Sequence, residues 1–301
     1  MLATLESTKQ DLTPPPALVA RLRKRADQLR MLPAVAMKAL EIAKNPDCSI
    51  SEFAAVVELD VKLATDMLKI ANSALYSPTT PIVNLHRAVL RLGFRECQSL
   101  IMTASITSLM HRMSLEQEWV RGVLWRHSFN TALLATHLNR TFHLGLQGEE
   151  FTAGLMHDFG RTLLAVVVPE EFQQIDSMEF DESIETLAHE QSVIGTDHCR
   201  LGAWYATQQE LPVPIPEVIL LHHQPELARS GRRLTSLIAV ADHMANHLQR
   251  FEEPEGYDAA ANPFWPGLAE FSDTHFERQF VEVAASLMKE AQRDAEQLMK
   301  Q

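Results

Sequence analysis

The stretch "SISEFAAVVELDVKLATDMLKIA", residues 49–71, carries the start signals of two successive α-helices. Ser49 and Glu52 are spaced as in a capping box, where each side chain accepts a hydrogen bond from the other residue's backbone N–H. Asp60 is placed to cap the second helix, because its carboxylate can accept from a free N–H of the first turn. The second helix has one apolar face, formed by Leu63, Met67 and Ile70. The stretch therefore predicts two helices separated by a short turn.

Helical patterns continue on both sides of this stretch. Apolar residues recur at helical spacing in "AVAMKALEIA", residues 34–43, until the "NPD" break at residues 45–47. Downstream, Asn84 can cap a helix that Gly93 ends. Convincing alternating strands and the Asn-Gly or Asp-Gly turns of β-hairpins are absent from the sequence. We therefore expect an all-α fold.

The composition is that of a soluble globular protein. Of the 301 residues, 46% are hydrophobic and 22% are charged, so a large core can be buried. The formal net charge of −12 argues against direct binding to nucleic acid or to anionic membranes. The three cysteines, Cys48, Cys97 and Cys199, lack metal-type spacing and fit a reducing compartment. With no signal-peptide pattern and no apolar stretch of about 20 residues, the sequence predicts a cytoplasmic location.

Four segments are expected from the changes in pattern along the chain. Residues 1–19, which contain three consecutive prolines, resemble a flexible tail. Residues 20–113 form a first helical segment, and residues 114–250 form a second one in which histidines are frequent. Residues 251–301 comprise a loop and an amphipathic helix that we expect to pack on the second segment. A capping-box pattern at Ser114 and Gln117 marks the junction between the first two segments.

Histidine and aspartate residues lie within or beside the apolar helical stretches of the second segment. Imidazole nitrogens and carboxylate oxygens together suit divalent metals such as iron, manganese, zinc or nickel. The adjacent pair His157-Asp158 cannot enclose an ion alone, because neighbouring residues on a helix point about 100° apart. Other helices must supply the remaining ligands. The candidate metal ligands are His127, His157, Asp158, His198, His222, His223 and Asp242.

A second interpretation of these histidines stays open at this point. Each of them can donate a hydrogen bond to a backbone carbonyl and bind nothing, and spacing alone does not decide between the two interpretations. The sequence lacks the motifs of two other common kinds of site. The sequence contains neither a glycine-rich phosphate loop nor the Gly-x-Ser-x-Gly motif of a nucleophilic serine.

The order of these residues resembles that of a known superfamily. The HD superfamily of metal-dependent phosphohydrolases carries its ligands in the order His, His-Asp, Asp, and four residues match it: His127, His157, Asp158 and Asp242. Three further histidines occupy places similar to those of the HD-GYP branch, which hydrolyses cyclic di-GMP: His198, His222 and His223. We expect the first four to converge in space, with the other three at the rim of the site.

Residues 31–94 resemble the N-terminal half of an HDOD domain, a relative of the HD-GYP branch. The typical features are the "NPD" turn, "ELD" before a helix, "ANSALY" at residues 71–76 and "AVLRLGF" at residues 88–94. The resemblance extends over roughly residues 20–250 and implies two helical lobes. It also implies a bacterial signalling module that engages signalling proteins or a small nucleotide-like ligand, and it leaves a homo-oligomer open.

Two departures from active HD-GYP proteins bear on function. The chain has "HDFGR" at residues 157–161 in place of HDxGK, so Arg161 stands where a phosphate-facing lysine is expected. No Gly-Tyr-Pro follows "HHQPE", residues 222–226. These losses favour a non-catalytic regulatory module. The intact His-Asp set keeps a metal-dependent phosphohydrolase of nucleotides or cyclic dinucleotides as the alternative, and whether an ion is bound stays equally open.

Overall fold

The computed structural model describes residues 12–25, 29, 32–45, 47–73, 76, 80–113, 115, 118–180 and 184–299. These residues form α-helices and short 3₁₀ helices, and none of them lies in a β-strand. The expected all-α fold is therefore confirmed. Among the same residues, no helix has both the length and the hydropathy that a membrane crossing requires. The capping box predicted at Ser114 and Gln117 lies outside the described residues.

Several helices in the first part of the chain begin where the sequence predicts. The helices described before residue 113 are α1 (Pro16–Lys24), α2 (Ala34–Ile42), α3 (Ile50–Val57), α4 (Val61–Ala71), α5 (Leu85–Leu92) and α6 (Phe94–Arg112). Ser49 and Glu52 form both hydrogen bonds of the capping box at the start of α3. Asp60 accepts a hydrogen bond from the N–H of Leu63, and Asn84 accepts one from the N–H of Arg87.

The second part of the chain contains the longest helices. They are α7 (Glu118–Thr141), α8 (Glu149–Met156), α9 (Phe159–Val167), α10 (Pro169–Ile175), α11 (Ile184–Ile194), α12 (His198–Gln208), α13 (Ile215–Leu221), α14 (Arg232–Phe251), α15 (Trp265–Ala269) and α16 (Phe276–Met299). Short 3₁₀ helices occur at Pro225–Leu227 and Ala259–Ala261.

The structure agrees with the predicted apolar face of α4 but not with the predicted end of the N-terminal tail. Leu63 and Met67 are buried, while Ile70 is partly buried and packs against the same core. Residues 16–19, however, were expected in the tail and instead form the first turn of α1, whose Leu18 and Leu22 are buried. The reason is that proline suits the first helical position, where its missing N–H has no partner to lose.

Helix α7 is the central element of the second part. Helices α8, α14 and α16 all pack against it. The contact with α8 is close because Gly154 lacks a side chain, since a Cβ at this position would lie 2.5 Å from the Cα of Ala132. On another side, Phe276 of α16 packs on Phe142, with the ring centroids 4.4 Å apart. The arrangement brings the ends of several helices to the middle of α7.

Candidate metal centre

The seven candidate ligands come from several helices and meet in one buried cluster. Helix α7 carries His127 in its interior, and α14 carries Asp242. The pair His157-Asp158 links the end of α8 to the start of α9. The remaining ligands lie at the first residue of α12 and directly after α13: His198, His222 and His223. All except the half-buried His223 are at most 3% exposed.

The four residues of the His, His-Asp, Asp pattern lie in mutual contact. The Nε2 atom of His127 is 3.0 Å from Oδ1 of Asp242 and 3.2 Å from Nε2 of His157. The Nε2 atom of His157 is also 3.3 Å from Oδ1 of Asp242. Asp158 completes the group, with Oδ2 lying 3.5 Å from Nε2 of His127. Residues separated by as many as 115 positions thus share one centre.

The position expected for His198 and His222 at the rim is wrong. Both side chains are buried, and their Nε2 atoms lie 3.6 Å and 3.5 Å from Oδ1 of Asp158. Asp158 therefore has histidines beside both of its carboxylate oxygens. Only His223 lies at the edge, with its Nε2 atom 3.3 Å from Nε2 of His198.

Gly160 explains why His198 is drawn into the cluster. A Cβ at Gly160 would lie 1.8 Å from the carbonyl oxygen of His198, so the backbones of α9 and α12 are in direct contact. Gly202, one turn further along α12, faces the backbone of Gly160 in the same way. Asp158 directly precedes α9. The contact between α9 and α12 therefore places His198, the first residue of α12, beside the Asp158 carboxylate.

Hydrogen bonds to the outer nitrogens orient three of the imidazole rings. The Nδ1 atom of His157 lies 2.7 Å from the carbonyl oxygen of Gly154, and that of His222 lies 3.0 Å from the carbonyl oxygen of Ile219. The Nδ1 atom of His198 lies 2.9 Å from Oε1 of Glu190. Each Nδ1–H donates to its oxygen, so Nε2 is the lone-pair nitrogen whenever the ring is neutral. Metal-binding histidines in proteins are usually held in this way.

The donor set fits a divalent ion. Four atoms of the cluster residues are among the buried atoms of the described chain that have no hydrogen-bond partner: Nδ1 of His127, Oδ1 of Asp158, Oδ1 of Asp242 and Nε2 of His222. Leaving one such atom unsatisfied costs about 1–3 kcal/mol. Ligand atoms about 2.1 Å from a common ion lie about 3.0–3.4 Å apart. The contacts of 3.0–3.6 Å in the cluster are close to that spacing.

The charges of the cluster are strongly interdependent. Burial opposes the charged form of His157, but the carboxylates of Asp158 and Asp242 outweigh it and raise the pKa of His157 to about 9. Burial also opposes ionisation of Asp158, but His157 and Arg161 hold the pKa of its carboxyl well below the usual range. Burial and the neighbouring His223 lower the pKa of His222 to about 4. The cluster therefore contains carboxylates that require a compensating positive charge.

Arg161 is engaged inside the protein by two carboxylates. Its Nε and NH2 groups donate to the carboxylate of Asp176 at 2.8 Å and 2.9 Å, and its NH1 group donates to Asp158 at 3.1 Å. Its guanidinium carbon lies 4.4 Å from the ring centroid of Phe180, which in turn packs on His127. Arg161 and Phe180 are both buried, and they line a cavity of about 480 Å³.

Four residues of the site were not predicted from the sequence. Glu190 orients His198, Asp176 holds Arg161, and Phe180 covers His127. The fourth is Cys199, whose sulfur lies within 4.8 Å of donor nitrogens of His198, His222 and His223. Only Cys199 had a signal in the sequence, because it is adjacent to a candidate ligand. The other three depend on how α11 and residues 176–180 pack beside the cluster.

The architecture and the order of the ligands correspond to a known family. The model of the HDOD domain matches residues 29–225, which is more than half of the chain. The chain belongs to the HDOD domain family. The matched residues include helices α2 to α6 and the part of this HDOD protein that contains most of the cluster, from His127 to His223.

Two solved structures and one sequence relative resemble this HDOD protein. An HDOD domain protein of unknown function from Geobacter sulfurreducens has 25% sequence identity and a TM-score of 0.72, with 93% of this chain and 97% of that chain covered. A proposed metal-dependent phosphohydrolase from Shewanella amazonensis SB2B has 22% identity and a TM-score of 0.58, with 96% and 98% covered. An uncharacterised protein of Treponema pallidum (strain Nichols) is 26% identical over 227 residues, which are 75% of this chain and only 44% of that protein.

Proposed function

We propose that this HDOD protein is a non-catalytic signalling module whose buried His–Asp cluster holds a divalent ion as part of its structure. Its helical surface then engages a signalling protein or a small nucleotide-like ligand. The observation that supports this proposal is the closure of the cluster. His157 and Asp158 are at most 2% exposed, and Arg161 and Phe180 lie in contact with the cluster.

A closed cluster is unsuited to hydrolysis of a phosphate ester. A metal-dependent phosphohydrolase must let the phosphate and an activated water reach the ion, and it needs free cationic or backbone groups to stabilise the developing charge. In this protein the Arg161 guanidinium is already bonded to two carboxylates, those of Asp158 and Asp176. Losing one such stabilising group typically lowers the rate about 10²–10³-fold. We infer that the cluster turns over substrate at background rates.

The ion has a structural role in this proposal. A bound divalent cation would supply the positive charge that Asp158 and Asp242 require, and His127, His157 and Asp242 would hold it together with Asp158. These residues connect α7, α8, α9 and α14. Because binding to the folded state alone stabilises that state, the ion would tie these helices together.

One alternative is favoured by a specific observation. The complete set of imidazole and carboxylate donors is what a metal-dependent phosphohydrolase requires. On this alternative, Phe180 and Arg161 move away when a nucleotide or cyclic dinucleotide binds. The two functions differ in turnover, so a measurement of activity separates them.

The test compares the freshly purified protein with its His157→Ala/Asp158→Ala variant. Elemental analysis measures the bound metal, and hydrolysis of cyclic di-GMP and of simple nucleotides is followed with added manganese or iron. We expect metal in the wild type, loss of metal in the variant, and the same background hydrolysis in both. Metal-dependent turnover that disappears in the variant would establish the phosphohydrolase alternative. A wild-type protein that retains no metal contradicts the proposed role of the cluster.

A further inference from the structure

Cys199 is a buried residue that the proposed function leaves without a role. It is the second residue of α12 and is 2% exposed. Among the described residues, it does not belong to the contiguous apolar core that the other buried hydrophobic side chains form. Its sulfur instead lies in the polar cluster, next to the imidazoles of His198, His222 and His223. A buried thiol in such surroundings needs an explanation other than hydrophobic packing.

The four donor atoms lie close enough together to share a single ion. The sulfur and one nitrogen from each of the three histidines all lie within 4.8 Å of one another. In a zinc site with Zn–N bonds of about 2.0–2.1 Å and a Zn–S bond of about 2.3 Å, the ligand atoms lie about 3.3–3.6 Å apart. The distance of 3.3 Å between the Nε2 atoms of His198 and His223 agrees with this geometry.

Two of the three imidazoles are already oriented for coordination. The Nδ1–H of His198 donates a hydrogen bond to Glu190 at 2.9 Å. The Nδ1–H of His222 donates one to the carbonyl oxygen of Ile219 at 3.0 Å. In each neutral ring Nε2 is therefore free to bind an ion. Such backing by a carboxylate or a carbonyl is the usual companion of a zinc-bound histidine.

We propose that Cys199 and three histidines form a second, zinc-binding subsite: His198, Cys199, His222 and His223. This inference rests on the proposed function, because it assumes that the His–Asp cluster holds divalent ions. The first subsite contains only nitrogen and oxygen donors: His127, His157, Asp158 and Asp242. The second subsite adds a sulfur donor, and a thiolate favours zinc over harder ions such as manganese or magnesium. On binding, the thiol releases its proton to solvent and its sulfur bonds to the ion.

The test is zinc K-edge X-ray absorption on the full chain after removal of metal and reloading with zinc. We expect a sulfur scatterer at about 2.3 Å from zinc in the wild type. It persists in the Cys48→Ser control, which removes a half-buried thiol outside the cluster, and disappears in Cys199→Ser. Circular dichroism checks that both variants are folded. The wild-type spectrum remains decisive if Cys199→Ser does not fold.

The outcomes separate this inference from the proposed function. Zinc bound by nitrogen and oxygen alone in the wild type overturns the sulfur-containing subsite and leaves the metal-binding module in place. A sulfur signal that survives in Cys199→Ser also overturns it, because the sulfur then comes from another cysteine. A wild-type protein that binds no zinc, manganese or iron overturns both proposals.

Discussion

The geometry of the site depends on Gly160, which has only a hydrogen atom in place of a side chain. The carbonyl oxygen of His198 occupies the space where any other residue would place its Cβ. The approach of α9 to α12 therefore depends on glycine at this position, and the contact between Asp158 and His198 depends on that approach. By comparison, Gly122 in α7 has open space around its Cα.

We expect Gly160→Ala and Gly122→Ala to have opposite effects on stability. The new methyl group at residue 160 must displace backbone, and overpacking of this kind lowers the free energy of unfolding by roughly 1–3 kcal/mol or more. Alanine at residue 122 should raise it by about 0.5–1 kcal/mol, because glycine in a helix interior is unfavourable. Urea unfolding of both variants measures the difference. Equal stability of Gly160→Ala and the wild type would contradict the close packing of α9 on α12.

Glu150 is a buried acid outside the metal centre. It lies in α8, where one carboxylate oxygen accepts from the Asn139 side chain at 2.7 Å and the other from the N–H of Gly148 at 2.9 Å. Burial outweighs these hydrogen bonds and raises the pKa of Glu150 to about 7. The folded state therefore binds a proton more tightly than the unfolded chain does.

This shift predicts a pH dependence of stability. The contribution of protonated Glu150 is fully present below about pH 4.5 and is lost as the pH rises through about 7, where the folded protein must ionise the buried group. Across this window the loss is on the order of 3 kcal/mol. We expect Glu150→Gln to remove it, so the stability of the variant relative to the wild type should increase between pH 5 and pH 8. Chemical unfolding at both pH values measures this. A constant difference between the two proteins would show that Glu150 has an ordinary pKa.

At the scale of the helices, the site is made mostly from helix ends. His157 follows α8, His222 follows α13, and His198 opens α12. The last carbonyls of an α-helix have no partner inside the helix. At the ends of α8 and α13, the carbonyls of Gly154 and Ile219 accept hydrogen bonds from the histidines that follow. The same bonds thus complete each helix end and orient a ligand.

Substitutions in helix α4 can test which of its faces is buried. Leu63 is 4% exposed, whereas Val61, two residues earlier on the same helix, is 77% exposed. We expect Leu63→Asp to unfold the protein or to lower its free energy of unfolding by more than about 4 kcal/mol, because it buries an unpaired charge. Val61→Asp should change it by less than about 0.5 kcal/mol. Thermal unfolding distinguishes the two, and similar melting temperatures would mean that the helix face is misassigned.

At the scale of the whole molecule, the buried charges must be balanced. Asp158 and Asp242 lie in the same cluster, and Arg161 supplies one permanent positive charge to Asp158. The remaining compensation comes from the proton on His157 or from a bound cation. Protons and metal ions therefore compete for the same place.

Metal binding should stabilise the whole protein. At about 100 times its dissociation constant, an ion that binds only the folded state raises the free energy of unfolding by about 2.7 kcal/mol. We expect manganese, which the sulfur-containing subsite disfavours, to raise the melting temperature of the wild type and a chelator to reverse the increase. Asp242→Asn should abolish the response. Asp294→Asn should preserve it, because this buried aspartate of α16 lies outside the cluster and pairs with His137 of α7. A response that persists in Asp242→Asn would place the ion elsewhere.

The sequence by itself determined the helical class, several helix starts and the candidate ligands. These are local properties. A capping box at Ser49 and Glu52 depends on backbone atoms within one turn, and the apolar face of α4 depends on a spacing that persists along the helix. The ligand types followed from the chemistry of imidazole and carboxylate groups and from the resemblance of their order to the HD superfamily.

Only the tertiary structure decided which side chains are buried together. His198 and His222 were expected at the rim and lie inside the cluster, because the contact of Gly160 with α12 joins residues far apart in sequence. The bonds of Arg161 to Asp176 and the packing of Phe180 on His127 had no signal in the sequence. Such contacts between distant residues depend on how whole helices pack, and no local pattern of residues encodes that packing.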